Sequence, residues 1–135
     1  EPEAARVAAT RRGEGSLKKL ENALELLRDA TRDNRHREDA DFNFHLGVAE
    51  ATNNHYFSAT LQALRQQIYA VMHMHGMSLL GPGPKLRNVF DEHNAIHEAI
   101  RDGLPEQAEH QMRLHLAGSR DRLFEGHMLD LRMKA

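Results

Sequence analysis

The sequence predicts an all-α domain, an antiparallel bundle of about six helices with a metal site in its core. Three observations lead there. Leu and Ala supply 34 of the 135 residues, whereas the β-branched Val, Ile and Thr supply 11, a balance that favours helix over strand. Apolar residues recur three and four positions apart in stretch after stretch. The interruptions between those stretches are short and built from Gly, Pro, Asn and charged residues.

Taken in order, residues 1–12 read as the first helix, which looks like the middle of a longer one, so sequence upstream is expected. Gly13 to Ser16 interrupts it, and Ser16 is placed to cap the second helix. That helix, 16–32, carries Leu17, Leu20, Leu24 and Leu27 at helical spacing. The polar run Asp33 to Arg37 connects it to a third helix over 38–52. Thr52-Asn53-Asn54 forms a turn, since Asn tolerates left-handed backbone and caps helices. A single long fourth helix is expected over 55–79, stopped by Gly81-Pro82-Gly83-Pro84. A fifth runs from 85 to 102 and ends at Gly103. Pro105 suits the first turn of a sixth helix reaching about residue 125.

Composition excludes several function classes. With 18 basic and 20 acidic residues the net charge is −2, unlike the basic excess of a nucleic-acid-binding domain. No apolar run approaches the roughly 20 residues needed to span a bilayer. There is no Cys, hence no disulfide, thiolate zinc site or cysteine nucleophile. The sequence shows no Glu-x-x-His di-iron signature, no His-Glu-x-x-His protease motif, no Gly-x-Ser-x-Gly elbow and no phosphate-binding loop. No signal-peptide pattern is present, and the expected location is the cytoplasm.

Ten histidines are the compositional anomaly, and their positions carry the chemistry. His93 lies in the stripe Leu86, Val89, Phe90, Ile96, Ile100 of the fifth helix. His115 lies among Ala108, Met112 and Ser119 of the sixth. Asp41 and His45, four apart, share one face of the third helix beside Phe44, Val48 and Ala49. Three helices thus each aim a histidine at the core, and one adds a carboxylate, a donor set suited to zinc, nickel or a similar divalent ion. A buried histidine is more often a hydrogen-bonded core residue, and His97, paired i,i+4 with His93, competes with it. His36 and His55 fall near helix ends, His73 and His75 cannot share a face, His110 opposes Met112, and His127 is in the tail.

The stretch Glu1-Pro2-Glu3-Ala4-Ala5-Arg6-Val7-Ala8-Ala9, the segment DFNFHLGVAEATNN from Asp41 to Asn54, the segment from Glu92-His93 to Gly103, and Ala108 to His115-Leu116 occur in order and at matching intervals. In this the chain resembles the effector-binding domain (the FadR C-terminal, or FCD, domain) of FadR-type regulators in the GntR family. Thr52 stands where that family usually has Ser, and Leu104-Pro105 where an Asp commonly follows the Gly. The resemblance implies a metal held by Asp41, His45, His93 and His115 and a small carboxylate effector, a hydroxy acid. It also implies a homodimer whose operator DNA is gripped by a winged-helix domain preceding residue 1. Arg6 and Asn54 are candidate effector contacts, although Asn54 is better placed as a helix cap. The expectation is therefore that residues 1–135 form a ligand-sensing, non-enzymatic domain. The rival is a metal-dependent hydrolase using the same three histidines and one aspartate, with Glu38 or Glu92 as base; a metal that only staples the bundle is the third possibility.

Overall fold

The computed structural model describes residues 1–80 and 83–125. They form seven helices: α1 Pro2–Arg11, α2 Glu14–Arg32, α3 Glu38–Ala51, α4 His55–Ala63, α5 Arg65–Ser78, α6 Lys85–Arg101 and α7 Pro105–Glu125. No strand occurs among the described residues.

α1 buries Ala4, Ala5, Ala8 and Ala9, a face with no bulk beyond Cβ, and it packs against α7, α3 and α6. α2 lays Leu20, Ala23, Leu24 and Leu27 against α3 and α6. α3 is covered on most of its circumference: Ala40, Asp41, Phe42, Phe44, His45, Gly47, Val48, Ala49 and Ala51 are all buried. The main core joins Leu20, Leu24, Phe44, Val48, Ile96, Ile100 and Met112. Burying such side chains stabilises by roughly 1.5–3 kcal/mol each, so α3, surrounded by α1, α2, α4 and α5, is the fixed element that carries the site.

The turns hold the helices in register. Asp102-Gly103-Leu104 joins α6 to α7 as a tight hairpin. Gly103 has φ +68, and Leu104 donates its N–H to Ala99 O at 2.9 Å, a left-handed helix end that glycine adopts without strain.

Two local expectations are corrected. The long fourth helix is two helices, because Leu64 leaves the helical basin (φ −99, ψ 14) and interrupts the ladder between Ala63 and Arg65. Neither Gly nor Pro marks the break. The second helix begins at Glu14 with Gly13 as its extended N-cap and no side-chain cap bond, so Ser16 lies inside the first turn and caps nothing. The stop expected at 81–84 falls partly outside the described residues; of it, Gly83 has φ +101 and Pro84 precedes α6. His127 and the tail from Gly126 also lie outside them.

Candidate metal centre

α3, α6 and α7 bring Asp41, His45, His93 and His115 together, all four buried, with one ligand-capable atom from each lying within 4.8 Å of the others. Donors about 2.0–2.2 Å from one ion stand at most about 4.4 Å apart, so slight contraction would let one ion touch all four. The imidazoles crowd together: ring centroids are 4.3 Å apart for His93 and His115, and 5.3 Å for His45 and His115.

Each of the three histidines gives its Nδ1 to an acceptor. His45 Nδ1 donates to the Glu1 carboxylate at 3.1–3.2 Å. His93 Nδ1 donates to Val89 O, one turn back in α6, at 2.9 Å. His115 Nδ1 donates to Glu92 Oε1 at 2.7 Å. Carbonyl and carboxylate oxygens only accept, so the proton of each neutral ring sits on Nδ1 and the lone pair on Nε2 is free, the arrangement that supporting acceptors impose on metal-binding histidines. Two of those Nε2 atoms face Asp41 Oδ1, His93 at 2.9 Å and His45 at 3.3 Å. Each such contact needs a second proton on the ring or a cation between the two atoms.

The electrostatics express this conflict. Burial opposes charge on His45, yet the Glu1 and Asp41 carboxylates push its pKa up to about 10. Burial, reinforced by the charge of His93, pulls His115 down to about 4. Asp41 is held well below the usual carboxylate range, because His93, His36 and His45 outweigh the cost of burial. Three packed imidazoles cannot all carry charge at low cost. A divalent ion among the Nε2 atoms and Asp41 would replace those protons, so the donor set fits a metal.

A further layer fixes these residues. Asp41 Oδ2 accepts from His36 Nε2 at 2.9 Å. Glu92 takes two bonds from Arg122, at 2.8 and 2.9 Å. Despite burial, those bonds and the one from His115 pull its pKa down to about 2. Arg122 Nε donates to His75 Nε2 at 3.1 Å. Neither glutamate offered as a general base is free, since Glu38 pairs at the surface with His73 at 2.9 Å. His36, expected to serve a helix end, is instead packed on Asp41, and His75 is the internal member of its pair. His97 is buried but lies outside the cluster, its Nε2 without a hydrogen-bond partner among the described residues. His110 is exposed.

Of the two candidate effector contacts, Arg6 is exposed on α1 and is not part of the cavity wall. Asn54 is the N-cap of α4, its Oδ1 accepting from Tyr56 N at 3.0 Å. Beside the cluster a cavity of about 440 Å³ opens onto Asp41, His45 and His115.

Helices enclosing a three-histidine, one-aspartate cluster with an adjoining cavity define an all-helical binding domain. The FCD domain family model matches residues 1–118, and the chain belongs to that family, the one its sequence motifs resemble. It is similar to the HTH-type transcriptional regulator LutR of Bacillus subtilis (strain 168), with 28% identity over 118 residues, 87% of this chain and 54% of that protein. The chain thus spans about half the length of this curated relative. No helix among the described residues is long and apolar enough to cross a membrane.

Proposed function

We propose that this chain is the sensing half of a cytoplasmic, homodimeric GntR-type transcriptional regulator. In this reading Asp41, His45, His93 and His115 hold a divalent ion, zinc or nickel, and a small carboxylate effector enters the adjoining cavity. The observation that carries the reading is the double engagement of His45 and His93: each has Nδ1 on an acceptor and Nε2 on Asp41. A divalent ion held there supplies an electrophilic centre for a carboxylate oxygen. The chain's own part is to keep three Nε2 lone pairs convergent through Glu1, Val89 O and Glu92, and to aim Asp41 through His36. The ligands come from α3, α6 and α7, and the cavity wall adds α5. An effector seated there favours one packing of these helices over another, and that preference would pass to DNA-binding domains in the rest of the protein.

Calorimetry with acetate and lactate on zinc-loaded and zinc-stripped protein tests the reading. Binding that requires zinc is expected. Equal binding with and without zinc would remove the ion from the effector site, and turnover of ester or amide substrates by the zinc form would favour the hydrolase.

A further inference from the structure

The walls above the cluster have a chemistry of their own. Leu64, Ile68, Val71 and Met72 from the α4–α5 arm face Leu116 and Leu123 of α7 across the cavity. Glu1, Asp41, His45 and His115 gather polar groups at the floor, and Gln67, His75 and Ser119 are the uncharged polar side chains elsewhere in the lining. Apart from the clustered histidines, the one cationic side chain among the described lining residues is Arg120, an exposed group paired with Asp121 at 3.2 Å. Arg122, part-buried and outside the lining, is engaged at all three nitrogens by Glu92 and His75. A ligand therefore meets a single site for negative charge, at the floor, and mostly hydrocarbon above it.

Volume points the same way. About 440 Å³ is the share of about fifteen waters at roughly 30 Å³ each. Lactate, with six heavy atoms, would leave most of the apolar wall wet. Extra hydroxyls, as in a sugar acid, would find few wall partners besides Gln67 and Ser119, and a hydroxyl left unpaired against hydrocarbon costs free energy. A second carboxylate would face the same hydrocarbon.

We infer that the effector of this site is a monocarboxylate with an apolar body, a medium-length aliphatic acid or an acid of similar shape, and not a hydroxy acid, sugar acid or dicarboxylate. The inference rests on the carboxylate-sensing reading above and narrows it. The carboxylate head sits at the floor, and the hydrocarbon runs between α5 and α7. Each methylene that enters the cavity tightens binding, up to about fourfold for complete burial, until the cavity is filled.

The test uses zinc-loaded protein and calorimetric titration with straight-chain acids from acetate to octanoate, together with adipate and gluconate. The last two match hexanoate in carbon number and differ in carrying a second carboxylate or five hydroxyls. Affinity should rise about two- to fourfold per methylene, and hexanoate should bind at least tenfold more tightly than adipate or gluconate. Ile68→Ser and Val71→Ser should each flatten the chain-length dependence while leaving zinc content and acetate affinity unchanged; Val71 is half exposed, so its replacement spares the fold. A flat series, or gluconate or adipate equal to hexanoate, would overturn the apolar-body inference and leave carboxylate sensing intact. Absence of binding by every acid, acetate and lactate included, would overturn both.

Discussion

At the scale of single residues, the site depends on which nitrogen of each imidazole is committed. His93 is fully buried, with Nδ1 on its own helix's backbone, so its Nε2 can point only at Asp41 and the neighbouring imidazoles. His93→Ala and His115→Ala should each abolish zinc uptake in a dialysis assay, whereas His97→Ala and His110→Ala should leave it unchanged. Glu92→Gln should weaken zinc affinity about 10–100-fold, the usual cost of losing a supporting acceptor; unchanged affinity would mean that Glu92 does not orient His115. Asp41, His45, His93 and His115 were legible in the sequence because each falls on an inward helical stripe. Glu1, His36 and His75 were not. Their partners are on other helices or across a connection, and periodicity along one helix carries no information about such contacts. The choice between His93 and His97 also lay beyond spacing alone, since both are buried and only the rotation of α6 separates them.

At the scale of elements, two positions show how local chemistry fixes the frame. Asn54 accepts the Tyr56 N–H at the start of α4. Asn54→Ala should cost about 1 kcal/mol in urea unfolding with no change in carboxylate affinity, since its role is at the helix end. At Gly103, φ is +68 and an added Cβ would lie 2.9 Å from the Arg12 guanidinium, which itself donates to Arg101 O at 2.9 Å. Gly103→Ala should therefore destabilise by about 1–3 kcal/mol through backbone strain, measured the same way. Helix order and most boundaries were legible because Gly, Pro and Asn mark them. The break at Leu64 was not: no residue there is a poor helix former. It coincides with Arg65 stacking over Phe42 and Tyr69, 4.8 and 5.7 Å from the ring centroids, a tertiary contact with no local signature.

For the whole molecule, stability should depend on pH through a histidine outside the ligand set. Burial and the neighbouring Arg122 pull His75 down to about 4, whereas in the unfolded chain it titrates near 6.5. The unfolded state thus binds more protons between those values. The contribution of neutral His75 is present above about pH 6.5 and is lost as pH falls toward 4. Between pH 7 and pH 5, zinc-stripped protein should lose about 1–2 kcal/mol more stability than a His75→Gln variant under the same conditions. Identical losses in the two proteins would show that His75 does not titrate as a buried neutral group. The fold class was legible from composition and periodicity, and the family from motifs spread along almost the whole chain. The apolar character of the cavity was not, because Leu64, Ile68 and Val71 oppose Leu116 and Leu123 only once α5 and α7 are brought face to face. Convergence of α3, α6 and α7 on a divalent ion is tested most directly by elemental analysis of untagged protein loaded with zinc or nickel and then dialysed exhaustively against metal-free buffer. About one ion per chain, lost in His93→Ala, is the expected result; no retained metal in the intact folded protein would contradict it.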